Sequence, residues 1–370
     1  MLKINIIGSI FGTTGYDSHT RSLFNALDKL ADVKLSTQLI QNWNMLVNDA
    51  ELRAITKAGR EDDINVIVTT PHNWKTCLGL GINVGYCVWE GSNVPRSYIE
   101  EMLNDKIDLI FVPSEHTKQA IFNTSNGGAT EMYLLENKIK VIPHGVDLSI
   151  FYPKEKPNDG KFRFICNKGW RGSSWDRGGV QYVIKAFAEE FRNNENVELL
   201  IKLNPAYINP ETLNQAIMQL NLPENRAPIQ VVLDNTPFNK LIDLYNKCDV
   251  YICATRAEAF NLPGLESMAC GLPTIQTSFG GQTDYMTELN SSAIDYRLET
   301  VKEDIMYEGC QWAVPNIAHM KKIMRRMVDY KEDTKQMGKQ ALEDSKNWTW
   351  KKSAEKVIKC LEDISEKEVK

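Results

Sequence analysis

Arg256-Ala257-Glu258-Ala259-Phe260-Asn261-Leu262-Pro263-Gly264-Leu265-Glu266-Ser267-Met268-Ala269-Cys270-Gly271-Leu272-Pro273 is the stretch that decides the fold. It follows an apolar run, Val250 to Ala254, which reads as a strand ending near Thr255. Asn261 stands where a helix is capped, and Pro263 suits the first turn. Leu265, Met268 and Ala269 then share a face that turns to a core. Gly271 stops the helix and Pro273 opens the next strand. The free N–H groups at such a helix start favour an anion, such as a diphosphate. Glu266 lies close to that start, and Glu258 lies in the loop before it. Two carboxylates there would repel phosphate, so they read as acceptors of sugar hydroxyls. The plainer reading is a capped helix with a surface glutamate.

The same strand–helix rhythm runs outward in both directions. On the N-terminal side, Ile4 to Ile7, Val66 to Thr69, Val84 to Val88, Leu109 to Val112 and Lys140 to Ile142 read as strands. Ser18 to Leu30 and Ser114 to Phe122 read as helices between them, with Ser18 a candidate cap. A polar break with two prolines and a glycine, Tyr152 to Gly160, reads as a linker. The rhythm restarts with strands at Phe162 to Cys166, Val197 to Lys202, Gln230 to Leu233, Val250 to Ala254 and Pro273 to Thr277. The α/β pattern therefore predicts a domain over 1–153, another over 160–345, and a C-terminal helical segment over 346–370 able to pack back on the N-terminal domain; the charged helical stretch over 331–370 is interrupted near Trp348-Thr349-Trp350. Two such halves predict a cleft, with ligands at the carboxyl ends of the strands.

Bulk properties narrow the class. The chain has 370 residues, 42% hydrophobic and 25% charged, with a mean hydropathy of -0.35, enough for two ordinary globular cores. The net charge of -5 argues against a nucleic-acid binder. Met1 leads straight into a strand-like run with no secretory signal, and no run of about 18 apolar residues occurs to span a membrane. The eight cysteines include no Cys-x-x-Cys pair, which fits buried free thiols in a reducing cytoplasm better than a zinc site. The first 150 residues carry more acidic than basic side chains. That gives no support for strong attraction to anionic lipid, although peripheral membrane association stays open.

Glu258 and Glu266 have the spacing of a Glu-x7-Glu motif, and the whole stretch resembles the pattern of the retaining family 4 glycosyltransferases. Val112-Pro113-Ser114 with Lys118, Val141 to Asp147 with Phe151 and Pro153, and Leu244-Tyr245 with Cys248-Asp249-Val250 resemble further landmarks of that family in the same order. The resemblance covers most of the chain. It implies a GT-B fold, two Rossmann-like domains facing across a cleft. It also implies transfer of a hexose-type sugar from a GDP- or UDP-linked donor to a glycan, lipid-linked or protein acceptor. The first Glu would contact the transferred sugar and the second the ribose. Phe260, Asn261 and Leu262 would offer backbone N–H groups to the diphosphate. The nucleotide sugar is a co-substrate, and no cofactor is implied.

A second segment, Asn167-Lys168-Gly169-Trp170-Arg171-Gly172-Ser173-Ser174-Trp175-Asp176-Arg177-Gly178-Gly179, is a glycine-rich strand-to-helix turn with cations. It is a candidate diphosphate clamp. The family has an Arg and a Lys here. Arg177 stands where the Lys is usual, and Arg171 lies about one position from the usual Arg. Arg177 is thus a candidate for stabilising the leaving group, with Arg171 or Lys202 beside it. No Asp-x-Asp pair occurs, so no metal site is expected, and cations and helix N-termini would carry the leaving group instead.

On the N-terminal side, the Gly12-Thr13-Thr14-Gly15-Tyr16 loop follows the first strand and lacks dinucleotide-binding spacing. By resemblance Gly12 and Gly15 face the donor phosphate and Tyr16 the acceptor; the other reading is a tight turn. His72 resembles a cleft histidine near the reacting sugar, with a structural histidine as the alternative. Trp89-Glu90 reads as lining of the acceptor cleft. His144 reads as a hinge and packing residue, and Gly280-Gly281 as a close approach to the donor sugar or an ordinary turn. Two rival functions stay open: a GT-B nucleotide-sugar epimerase and a non-catalytic nucleotide-sugar-binding subunit.

Overall fold

The computed structural model describes residues 1–12, 14–37, 47–59, 64–125, 128–302 and 304–368. Thr13, within the predicted glycine loop, lies outside the described residues. The chain divides into two compact units. The first comprises 1–145, 301–310 and 348–370, and the second 146–300 and 311–347.

Unit 1 is built on six parallel strands, β1 (Lys3–Gly8), β2 (Asp32–Thr37), β3 (Ile64–Val68), β4 (Asn83–Tyr86), β5 (Leu109–Val112) and β6 (Ile139–Val141), in the order β2-β1-β3-β4-β5-β6. The connecting helices are α1 (Gly15–Leu27), α2 (Asp49–Thr56), α3 (Arg96–Met102), α4 (Glu115–Thr124) and α5 (Ala129–Lys138). Every residue of β3, β4 and β5 is buried, as expected of parallel strands covered on both faces. Thr14, not Ser18, caps α1. Its side chain accepts from the Asp17 amide while the Asp17 carboxylate accepts from the Thr14 amide, which closes a capping box.

Unit 2 repeats the plan with β7 (Phe162–Asn167), β8 (Val197–Leu203), β9 (Ile229–Leu233), β10 (Val250–Cys253), β11 (Thr274–Thr277) and β12 (Ser291–Ile294), in the order β12-β11-β10-β7-β8-β9. Its helices are α6 (Val180–Glu190), α7 (Pro210–Gln219), α8 (Phe238–Asn246), α9 (Leu262–Ala269), α10 (Ile317–Asp329) and α11 (Lys331–Ser345). An antiparallel hairpin, β13 (Tyr296–Thr300) with β14 (Gln311–Pro315), is added. Residues 301–310 leave that hairpin to join unit 1. Phe164, Phe187 and Phe191 pack with Val183, Leu199, Ile252, Met320 and Met324 into one apolar core. Strand order reverses between β7 and β10 in this sheet and between β1 and β3 in the other. Such reversals open a crevice at the carboxyl ends of the flanking strands.

The last helix, α12 (Trp350–Glu368), belongs to unit 1 and lies on α1. Ser353 donates to the Pro143 carbonyl at 2.6 Å, and Ala354, Val357 and Leu361 are buried. Under this helix His19 stacks against Trp350 with ring centroids 5.6 Å apart and meets Tyr86 edge-on at 4.2 Å. His144 lies 4.3 Å from His19 and 5.5 Å from Trp350, so it is a packing residue of this aromatic cluster. Both His19 ring nitrogens are buried without a hydrogen-bond partner among the described residues. Burial, and then the neighbouring His144, hold the His19 pKa well below the ordinary histidine range. The unfolded chain therefore takes up a proton near pH 6.5 that the folded chain refuses, and stability falls as pH drops below that value. Each pH unit should cost up to about 1.4 kcal/mol for this one group. His19→Phe should flatten the dependence of the unfolding midpoint between pH 7 and 5; an unchanged slope would remove His19 as its source.

Candidate active site

Two loops meet at the crevice between β7 and β10. The first runs from Lys168 to Gly179, and the second from Ala254 to Asn261. They are pinned together by backbone. Gly179 has φ +75°, and a Cβ there would run into the Ala254 carbonyl, so only glycine lets α6 start this close to the end of β10. The Arg256 amide donates to the Arg177 carbonyl at 2.8 Å, and the Thr255 hydroxyl reaches the same carbonyl at 3.1 Å. In return Arg177 Nη1 donates to the Ala257 carbonyl at 2.8 Å. The chain thus holds the Arg177 guanidinium beside the residue that precedes Glu258.

Glu258 pairs with Lys168, and both side chains are 12% exposed. Burial alone would raise the Glu258 pKa. The Lys168 ammonium and the Arg177 guanidinium outweigh burial, and the carboxylate is held below its usual range. The same ion pair raises the Lys168 pKa against the opposing effect of burial. Glu258 is therefore a fixed anion and Lys168 a fixed cation over the neutral pH range. Lys168 also lies 3.4 Å from Asn261 Oδ1, and the Gly281 amide donates to the Glu258 carbonyl at 2.7 Å. Gly280, with φ +113°, sets up that approach; a Cβ there would stand 2.8 Å from the Glu258 carbonyl oxygen.

Asn261 marks the start of α9, but not as a side-chain cap. Its backbone is left-handed, with φ 67° and ψ 68°, and its side chain makes no capping bond. Asn261 Nδ2 instead donates to Gln276 Oε1 at 2.6 Å, and Tyr251 donates to Asn261 Oδ1 at 3.2 Å. Tyr285 donates to the Asn261 carbonyl at 2.9 Å. These bonds replace the energy a cap would give and fix the approach to α9. Phe260 and Asn261 are buried and Leu262 is half-buried.

Glu266 sits on α9, 7% exposed. Tyr245 donates to its Oε2 at 2.9 Å, and Asn167 Nδ2 donates to the Tyr245 oxygen at 2.9 Å. This relay ties the ends of β7, α8 and α9 together. Burial pushes the Glu266 carboxyl up to about 7, against the lowering effect of the Tyr245 hydroxyl. The two glutamates of the motif therefore differ: Glu258 is held ionised by cations, whereas Glu266 is poised near neutrality.

The cations expected beside Arg177 are placed differently from the expectation. Lys202 donates to the carbonyls of Leu203 and Asp234, each at 2.8 Å, which ties the carboxyl ends of β8 and β9. Arg171 is exposed, and its backbone amide is anchored on Asp176 at 2.8 Å. The cation that joins Arg177 at Glu258 is Lys168, directly after β7. Asn167 and Lys168 lie in the clamp segment and Tyr245 in a family landmark, but sequence alone assigns none of the three a role in the site. A lysine directly after a buried strand, at the point where strand order reverses, is the signal that marks Lys168.

In unit 1 the candidates gather around the carboxyl ends of β1, β3 and β4. The Gly12 amide donates to Asp17 Oδ1 at 2.9 Å, and Ser9 donates to the same carboxylate. Asp17 thus occupies the position of an anion at the start of α1. Gly15 is exposed in the first turn, and half-buried Tyr16 points its hydroxyl to the Val88 carbonyl at 3.4 Å. His72 is exposed on a short 3-10 turn, with Nε2 3.3 Å from the Thr70 hydroxyl. Trp89 does not line a cleft. It is 2% exposed, stacked on Tyr307 with centroids 4.6 Å apart, and donates to the Asn93 carbonyl at 2.6 Å. Packing by the distant segment 301–310 covers it. Glu90 accepts from the Tyr307 hydroxyl at 2.7 Å.

Residues 176–344 match the family model described as Glycosyl transferases group 1. A putative glycosyltransferase of a Sulfolobus islandicus filamentous virus is 25% identical over 222 residues, which is 60% of this chain and 55% of that protein. The chain spans about half the length of the curated relatives it matches. Among solved structures, a sucrose-phosphate synthase from Thermosynechococcus elongatus aligns with a TM-score of 0.69 at 15% identity, covering 98% of this chain and 99% of that one. The Anabaena protein HepE in complex with UDP-glucose aligns with a TM-score of 0.69 at 14% identity, covering 98% and 100%. The two Rossmann-like units of this chain form the GT-B fold, and residues 176–344, most of them in the second unit, match the group 1 model. Among the described residues no helix is long and apolar enough to cross a membrane.

Proposed function

We propose that the chain is a retaining family 4 glycosyltransferase of the cytoplasm. It would move a hexose-type sugar from a UDP- or GDP-linked donor to an acceptor hydroxyl without a metal. The observation that carries this is the Lys168–Glu258–Arg177 cluster at the strand reversal of unit 2, with Glu266 behind it on α9. Two cations and the start of a helix suit a diphosphate, and a fixed carboxylate between them suits the hydroxyls of the attached sugar.

The residues divide the work as follows. Glu266 accepts from the ribose hydroxyls. Arg177 and Lys168 bind the diphosphate and stabilise the negative charge that grows on the leaving phosphate as the anomeric bond breaks. Lys168 leaves Glu258 for the phosphate when the donor enters, and a sugar hydroxyl takes its place on the carboxylate. The acceptor hydroxyl attacks from the face that the leaving group vacates and passes its proton to the departing phosphate, so configuration is retained. Glu258 and Glu266 serve binding, which sets this route apart from paired-carboxylate glycosidases. Unit 1 supplies the acceptor surface, with Tyr16, His72 and Glu90 as its polar groups, and the acceptor is a glycan, a lipid-linked glycan or a protein.

A thermal-shift panel of UDP-glucose, UDP-N-acetylglucosamine, GDP-mannose and their nucleotides tests the reading. At a concentration about 100 times Kd, the true donor should add about 2.7 kcal/mol to folding stability, a shift of several degrees. Transfer with that donor should be unaffected by EDTA. A panel with no stabilising nucleotide, or activity abolished by chelation and restored by a divalent cation, would refute the corresponding part.

A further inference from the structure

Arg256 stands two residues before Glu258 and is among the largest fully buried side chains, 1% exposed. Its guanidinium lies between two indoles, 5.2 Å from the Trp175 ring centroid and 5.4 Å from that of Trp312. Nε donates to the Ala313 carbonyl at 3.1 Å, Nη1 donates to the Trp175 carbonyl at 3.1 Å, and Nη2 lies 3.6 Å from Glu299. The backbone of the same residue is also engaged. Its amide donates to the Arg177 carbonyl at 2.8 Å, and its carbonyl accepts from the Ala313 amide at 2.7 Å.

One residue therefore joins three segments: the loop carrying Arg177, the loop carrying Glu258, and β14 of the hairpin. Burying a guanidinium is costly unless it is compensated; here two carbonyls accept from it, and a carboxylate and two aromatic faces balance its charge. A planar, permanently charged fork fits this setting, and an ammonium does not. The partners of Arg256 are Ala313, Trp175 and Arg177, the frames that hold the donor-site groups.

We propose that Arg256 is a positioning residue. Clamped between Trp175 and Trp312, it fixes the offset between the Arg177 loop and the Glu258 loop, so that the Arg177 guanidinium meets the donor diphosphate. The inference rests on the nucleotide-sugar reading of the site. It specifies more than that reading, because it assigns the selectivity for a second phosphate to a residue that touches no ligand.

Calorimetric titration of UDP, UMP, GDP and GMP into the full chain tests it. Arg256→Lys and Arg256→Met should each weaken binding of the preferred diphosphate about tenfold, the value of one charge-assisted contact, and leave the matching monophosphate within about twofold. In an Arg177→Ala background, Arg256→Lys should add less than about twofold, because both changes remove the same contact. Circular dichroism confirms folding, and Arg256→Lys serves if Arg256→Met does not fold. Equal losses for the mono- and diphosphate would make Arg256 a structural residue and overturn the proposal. A full tenfold loss added to Arg177→Ala would do the same. A wild-type chain that binds neither UDP nor GDP would instead sink the nucleotide-sugar reading, and this inference with it.

Discussion

Glu258→Gln is expected to lower the transfer rate by about 10²- to 10³-fold, the scale set by removing one preorganised charged or polar contact from a transition state. The amide keeps the shape of the carboxyl group and removes the charge that Lys168 and Arg177 hold in place. A neutral amide accepts more weakly from the sugar hydroxyls and no longer opposes positive charge growing at the anomeric carbon. Nucleotide binding responds differently. Lys168 loses its carboxylate partner and is free for phosphate, so UDP or GDP affinity stays level or tightens. Glu258→Ala shows the same loss of transfer, with a modest loss of nucleotide affinity from the vacated space. Initial-rate kinetics with the donor found by thermal shift, beside calorimetry with its nucleotide, separate the two effects. Near-normal turnover in Glu258→Gln would remove Glu258 from the chemistry. Loss of nucleotide binding in step with turnover would make it a structural residue.

The contrast between Glu258 and its neighbours shows where sequence is informative. Mostly apolar runs such as Ile64–Val68 and Val197–Leu203, interrupted by Asn65, Glu198 and Lys202, announce buried parallel strands, and Glu258 and Glu266 are visible because their loop and helix are contiguous. β2, β12 and the β13–β14 hairpin escape notice because half or more of their residues are polar or only partly buried, and their pairing depends on distant strands. Thr14 could have been found: Thr14-x-x-Asp17 is a capping-box spacing, a stronger signal than a lone Ser18. Lys168 could not be paired from spacing, because its partner lies 90 residues on. Trp89 fails for the same reason, since the aromatic that covers it, Tyr307, is 218 positions away by number and belongs to a segment looped out of a hairpin. Lys202 ends a strand in the manner of a ligand-binding cation, and only the positions of the Leu203 and Asp234 carbonyls reveal that it is already engaged.

On the proposed ribose contact, Glu266→Ala should weaken nucleotide binding by about 100-fold, because two hydroxyl-to-carboxylate bonds in a buried site would each be worth about 1.5 kcal/mol or more. The pH dependence of the unmodified protein identifies the carboxylate as the acceptor. Burial pushes Glu266 up to about 7, so near neutral pH the free site is divided between protonated and ionised forms. Ribose hydroxyls donate, and they favour the ionised form; binding must therefore expel a proton from the protonated fraction. The sign follows. Affinity is greatest above pH 7, where the carboxyl is already ionised, and falls as pH drops below 7, approaching about tenfold per unit. Folding stability runs the other way for this group. The folded state holds a proton that the unfolded state has lost between about 4.5 and 7, so raising pH through that window costs stability until both forms are ionised. Glu266→Gln removes both trends at once: its nucleotide affinity is lower than that of the unmodified protein at pH 8 and nearly independent of pH from 6 to 8. Calorimetry in two buffers of different ionisation enthalpy counts the proton released at pH 6.5. A proton count of zero in the unmodified protein, or a Glu266→Gln variant with the same pH slope, would show that the ribose rests elsewhere.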